Sequence, residues 1–188
     1  MKDFTETALE TCSSEGATYA DIRIVTVRGE DITFKDGNID VLSLTTVRGF
    51  GIRAIADGGW GFAGSHEISK DEIQDTARLA VRIAKASGST RKDPVVLVNT
   101  EPVEDKYETK IKKDPFKVPV EEKLEILTDV DKRLGRFSDS IKVRRADYRA
   151  HREDKVFAST EAAQIVQTIT WCGGGFSCLA VGTGVPPQ

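Results

Sequence analysis

Two histidines are the scarcest chemistry-bearing residues in this 188-residue chain, and neither stands in a metal-binding pattern. His66-Glu67 has the opening of a zinc-protease helix motif, but Lys70 and Asp71 occupy the positions where a second histidine would close the shell. His66 therefore reads as part of a loop leading into a capped helix at Ser69. Cys172 and Cys178 are separated by five residues, wider than the roughly two to four of zinc knuckles. With Gly173-Gly174-Gly175 between them, they read as flanking a turn between two strands. Cys12 falls on a helix stripe. Gly49-Phe50-Gly51-Ile52-Arg53-Ala54 has the letters of a dinucleotide loop, but such a loop must open a helix whose first amides receive a pyrophosphate. A strand running into Asp57-Gly58-Gly59 follows instead, so these glycines mark close backbone packing or a bulge.

One constellation survives this sorting. Trp60 and Phe62, at alternate positions, share a strand face, with Arg53 nearby across a hairpin. Large aromatics in strands usually pack in cores. The functional alternative is a surface along which an extended peptide lies, its alternate side chains received by the aromatics. Arg53, Trp60 and Phe62 are accordingly the candidate peptide-contact residues. No catalytic and no metal-ligating residue is assigned.

The elements that would position them follow from period and punctuation. Asp3 and Glu6 have capping-box spacing before a stripe of Phe4, Ala8, Leu9 and Cys12, and Gly16 suits a left-handed stop. From Tyr19 the period becomes two. Asp36-Gly37 and Asp57-Gly58-Gly59 mark two hairpins within an antiparallel meander of four or five strands. Ser69 and Glu72 form a second capping box, opening a helix that buries Ile73, Ala77, Ala80, Val81 and Ala84 before Gly88. The small residues on that stripe let the helix approach a sheet closely. Residues 1–88 thus read as one α-β(meander)-α unit, both helices on one face.

Residues 89–119 carry mixed charges and four prolines. Val95-Val96-Leu97-Val98 is a short strand candidate, and Glu101 to Lys117 reads as a solvated connection. Residues 120–188 begin with a helix that starts near Pro119, buries Leu124, Leu127, Val130 and Leu134, and ends at Gly135. Strands follow over Ile141–Tyr148, Lys155–Ala158, Ala163–Trp171 and Phe176–Val181. The fold class is α+β: an antiparallel meander packed with helices, then a second unit of helix plus antiparallel strands. A faint echo between residues 28–34 and 151–157 hints at duplication. Only residues 182–188 follow the last strand, and no capping helix covers its edge, the pattern expected when a downstream domain is missing.

Composition excludes several classes. Twenty-seven basic against thirty acidic residues give a net charge of −3, with no basic stripe to recruit nucleic acid or an anionic membrane. No apolar run approaches the roughly 18 residues of a membrane span. The acidic start, MKDFTETALE, lacks the apolar stretch of a signal peptide. Three cysteines close no disulfide framework, which makes the cytoplasm the expected compartment.

At Arg48-Gly49-Phe50-Gly51-Ile52-Arg53, followed by Asp57-Gly58-Gly59-Trp60-Gly61-Phe62-Ala63, the sequence resembles the TldD/PmbA family, the modulators of DNA gyrase. Gly16-Ala17, Tyr19-Ala20-Asp21, Asp36-Gly37, Ala84-Lys85-Ala86-Ser87, Asp114-Pro115-Phe116 and Lys123-Leu124 agree in order. So does Ser159-Thr160-Glu161-Ala162-Ala163, as in the TldD-type member, although Ala162 stands where the family usually has glycine. The resemblance implies a cytoplasmic metallopeptidase of peptides or unfolded proteins, acting as a dimer of like or paralogous subunits. It places zinc or iron on an H-E-x-x-x-H helix and a later cysteine in a C-terminal domain. Neither is in this sequence, so the resemblance is to the N-terminal domain alone, as a fragment, a split gene or a truncated product. No cofactor, catalytic or metal residue carries over, and the chain is expected to be inactive by itself. Its implied role is to guide substrate and support assembly, with no direct nucleic-acid or membrane partner. The alternative is a free-standing, non-catalytic protein- or peptide-binding module.

Overall fold

Residues 1–98, 101–182 and 184 are described by a computed structural model. Thr183 and residues 185–188 of the tail lie outside the described residues. The first helix, α1 (Lys2–Ser14), is capped by the backbone of Met1 without a side-chain bond. Asp3 lies inside its first turn, so the expected Asp3–Glu6 capping box does not form. A capping side chain must come from a residue outside the helical conformation. At the other end Gly16 takes φ +90°. The Ala17 N–H then reaches Cys12 O and the Gly16 N–H reaches Ser13 O, both at 3.0 Å, the paired bonds of a Schellman stop.

The meander has three strands rather than four or five: β1 (Tyr19–Lys35), β2 (Asn38–Ala56) and β3 (Gly59–Ser65). Asp36-Gly37 and Asp57-Gly58 all take positive φ, the primed-turn geometry that matches strand twist. Gly29, inside β1, does not break the strand. A Cβ there would stand 2.8 Å from Thr45 Oγ1, so this glycine marks a close cross-strand approach.

In α2 (Lys70–Gly88), the Ser69 hydroxyl accepts from the Glu72 N–H at 3.3 Å. Ile73, Ala77, Ala80, Val81 and Ala84 are buried as the period requires, together with Thr76. The close approach is extreme: a Cβ on Gly59 would lie 2.2 Å from Ala84 O, and one on Gly61 1.9 Å from Ala80 O. Helix and strand meet backbone to backbone.

Beyond α2 the sequence expectations need correction. Val95–Val98 forms no strand, and Val96 and Val98 are exposed. The supposed solvated connection instead contains β4 (Glu104–Glu108), paired in parallel with Gln164–Thr168. Its five residues, EDKYE, are all exposed, so no alternation of polarity announces it. A 3-10 turn, Pro115–Lys117, follows, with Asp114 accepting from the Phe116 N–H at 3.0 Å. Helix α3 (Val120–Phe137) runs through Gly135, and its buried residues are Lys123, Leu127 and Asp131. Leu124, Val130 and Leu134 are only partly buried. The four later strands merge into two, β5 (Ile141–Ser159) and β6 (Gln164–Ala180). Gly173–Gly175 therefore continue β6 instead of turning between Cys172 and Cys178.

The strands form one sheet in the order β3-β2-β1-β5-β6-β4, mostly antiparallel, with β3 and β4 at its edges. The fold is α+β. Two compact units interleave along the chain: residues 1–26, 47–108 and 153–168, and residues 27–46, 109–152 and 169–188. In the first, Ala8 and Cys12 of α1 join the α2 stripe over Ala20, Ile22, Ile24, Ile52, Ala54 and Ala63. In the second, Leu127 of α3 packs with Ile32, Phe34 and Ala146. Among the described residues no helix is long and apolar enough to cross a membrane.

Candidate functional site

In the first unit the two-residue period of each strand sends one set of side chains toward the helices and the other set away. Ala20, Ile22 and Ile24 of β1 enter the core, leaving Tyr19, Asp21 and Arg23 on the opposite face. Ile52 and Ala54 of β2 do the same, leaving Arg53. On β3, Gly59, Gly61 and Ala63 are buried, while Trp60 is half-buried and Phe62 is 62% exposed. Arg53 and Phe62 are direct cross-strand partners, as are Ile55 and Trp60. All three sequence candidates therefore lie on the face remote from the helices. Gly51 has a local role: a Cβ there would stand 2.9 Å from Phe62 Cε2, so its hydrogen makes room for the ring.

At the centre is Asp21, whose carboxylate is 0% exposed. It accepts from Arg53 Nε at 2.9 Å and Nη2 at 2.6 Å, from the Tyr19 phenol at 2.9 Å, and from Arg23 Nη1. Charge-assisted bonds of this kind make burial of one carboxylate tolerable. Each guanidinium also lies against a ring. Arg53 is 5.4 Å from the Trp60 centroid and Arg23 4.8 Å from that of Phe157 on β5, within cation–π range. Tyr19 meets Trp60 edge to face at 6.0 Å. Burial, then the Asp21 carboxylate, pushes the Tyr19 phenol up to about 12, so it remains a proton donor at neutral pH. The hydrogen bond to Asp21 raises the Arg53 pKa further above its ordinary value.

The result is a cationic–aromatic platform beside an edge strand. Among the described residues β3 is paired with β2 on one side only, which leaves its other side with backbone N–H and C=O groups available to an added strand. Sequence reasoning found Arg53, Trp60 and Phe62 but missed Asp21, Arg23, Tyr19 and Phe157. The available signal was the spacing of Tyr19, Asp21 and Arg23 at every second position, which puts a phenol, an acid and a base on one strand face.

The remaining chemical residues do not converge. His66 is exposed in the loop before α2. In the second unit His151 stacks on Trp171 at 5.2 Å, and Cys172 and Cys178 are free and exposed on β6. Among the described residues no three His, Cys, Asp or Glu side chains lie together as a metal would need. These side chains offer no ligand shell to the zinc or iron that the family resemblance implies. The second unit does bury an ion pair, Lys123 Nζ at 2.7 Å from both Glu30 oxygens and 5.1 Å from the Tyr148 ring centroid. Beside it is an apolar cleft of about 500 Å³ lined by Ile126, Leu127, Tyr148 and Phe176, among others.

Comparison with known proteins places this geometry in context. Residues 20–84, which include Asp21, Arg53, Trp60 and Phe62, match the sequence pattern of PmbA/TldA metallopeptidase domain 1. A metalloprotease of Methanocaldococcus jannaschii is 32% identical over 162 residues, 86% of this chain and 36% of that protein. The chain thus spans about a third of this relative's length. Two crystal structures share the fold. A candidate modulator of DNA gyrase from Bacteroides thetaiotaomicron superposes with a TM-score of 0.81 at 12% identity, over 99% of this chain and 42% of its own. TldE from Thermococcus kodakarensis gives 0.78 at 14% identity, over 98% and 41%.

Proposed function

Starting from a chain that belongs to the PmbA/TldD metallopeptidase family and carries its first domain, we propose that the open edge of β3 and the adjoining aromatic face receive extended peptide substrate. An unfolded segment adds to β3 by backbone hydrogen bonds, which gives affinity with little sequence preference, while Trp60 and Phe62 contact alternate side chains. The hydrolytic step, with its zinc or iron, belongs to residues outside those described here or to a like or paralogous subunit. Placement in the cytoplasm, among peptides and unfolded chains, fits this role.

The observation that supports the reading is the position of Trp60 and Phe62: on the edge strand, on the face turned away from α1 and α2, with Phe62 mostly exposed. Trp60→Ala tests it. An aromatic anchor lost from a binding face weakens peptide affinity by about tenfold or more, with a small change in melting temperature. Unchanged affinity in the folded variant overturns the proposal. A melting loss on the scale of a buried large aromatic, roughly 3–5 kcal/mol, makes Trp60 a core residue instead.

A further inference from the structure

We propose that Asp21 is a positioning residue for peptide binding: it holds Tyr19 and Arg53, which fix the Trp60 ring from its inner side and so set the surface that an added strand meets. The inference rests on the peptide-binding reading above and goes beyond it by giving a role to a buried carboxylate that touches no peptide.

Strand order carries the argument. In the order β3-β2-β1, a peptide added along β3 lies beyond that strand, out of reach of Asp21 and Tyr19 on β1 and of the Arg53 guanidinium turned toward them. These groups act instead on the side of Trp60 that faces β2. Tyr19 meets the ring edge to face at 6.0 Å, and Arg53 is 5.4 Å from its centroid. Both neighbours are tied to one oxygen. Asp21 Oδ2 accepts from the Tyr19 phenol at 2.9 Å and from Arg53 Nε and Nη2 at 2.9 and 2.6 Å. Arg53 also hydrogen-bonds the phenol, which closes the network. The other oxygen, Oδ1, takes Arg23, itself held over Phe157. Glu161 adds a second negative charge near Tyr19 and, with burial and Asp21, keeps the phenol protonated and donating. It makes no hydrogen bond to Tyr19 or Arg53 among the described residues, so Asp21 alone anchors the pair. A ring immobilised before binding has little rotamer freedom left to lose when a peptide packs on it. Without Asp21, Arg53 is free to hydrate, since its side chain is already 40% exposed, and the ring loses both supports.

The test uses the 188-residue chain with Trp171→Phe, which leaves Trp60 as the only one of its two tryptophans. Time-resolved anisotropy follows the indole, and fluorescein-labelled Thr/Val peptides report affinity. Asp21→Ala increases fast indole motion in the free protein and weakens peptide binding about fivefold. In a Trp60→Ala background the same substitution changes affinity less than twofold, the non-additivity of two residues acting through one contact. Equal weakening in both backgrounds makes Asp21 merely structural and overturns the inference. Unchanged affinity in Asp21→Ala, where Trp60→Ala does weaken binding, overturns it while the peptide-binding reading stands. Unchanged affinity in Trp60→Ala overturns both. If Asp21→Ala does not fold, Arg53→Met, which leaves Asp21 bonded to Arg23 and Tyr19, decides by the same comparison in the two backgrounds.

Discussion

Gly61→Ala is the sharpest probe of how the β3 edge is held. The added Cβ would stand 1.9 Å from Ala80 O and 2.5 Å from Ala84 N. Ordinary contact begins at 3.4 Å, so helix and strand must separate by about 1.5 Å, and both obstructing atoms are backbone with no rotamer to yield. A gap of even roughly 0.5–1 Å forfeits a quarter to a half of a dispersion well, and here it would open along the stripe from Ile73 to Ala84. Overpacking usually costs about 1–3 kcal/mol, and a backbone clash belongs at the upper end. Alanine recovers about 0.5–1 kcal/mol of that through reduced unfolded-state entropy. The net loss is about 2 kcal/mol, roughly 4–8 °C in melting temperature for a chain of this size. Thermal unfolding followed by circular dichroism reads it. Gly173→Ala, where a Cβ meets nothing within 4 Å, is the control and should shift the midpoint little. A Gly61→Ala variant as stable as wild type would refute the backbone-to-backbone packing of α2 on β3.

Two further predictions concern a turn and the titration of buried groups. Ala162 sits at φ +62° between Ser159 and Ala163, which hydrogen-bond across the turn at 3.0 Å. Ala162→Gly relieves the left-handed strain and should raise stability by about 0.5–1 kcal/mol, whereas a lower melting temperature would contradict it. Burial raises Cys12 from 9.0 and Tyr19 and Tyr148 from 10.0, each to about 12. All three hold their protons longer when folded, so their stabilisation is complete below pH 9 and is lost as pH climbs from 9 toward 12. Denaturation midpoints that stay flat from pH 8 to 11 would refute this.

What could be read from the sequence was whatever local chemistry decides. Asp36-Gly37, Asp57-Gly58 and Gly16 need positive φ, and Ser69 caps wherever a helix follows, so turns, caps and the α2 stripe were legible. Trp60 and Phe62 were legible as a shared face because alternation alone sets it. Long-range pairing was not. β4 is a polar pentapeptide held by β6, more than fifty residues away, and nothing in EDKYE announces that partner. Gly173–Gly175 looked like a turn because glycine marks both turns and close approaches, and only the neighbouring strand tells them apart. Lys123 and Asp131 upset the α3 stripe because Glu30 and Arg144 neutralise them inside the fold. Asp21 was hidden for the same reason: an acid in a strand reads as solvent-facing until its two arginines are in place.

Hydrogen exchange of the β3 amides, with and without an unfolded peptide, tests strand addition most directly. The amides of Gly59–Ser65 that point away from β2 have no sheet partner among the described residues and should exchange quickly in the free protein. Peptide binding should protect them at alternate positions, the signature of a new antiparallel or parallel ladder, while exchange in Glu104–Glu108 at the opposite edge stays unchanged. Protection confined to the β4 edge, or no change in β3 at saturating peptide, would contradict the assignment of this strand as the substrate-receiving edge.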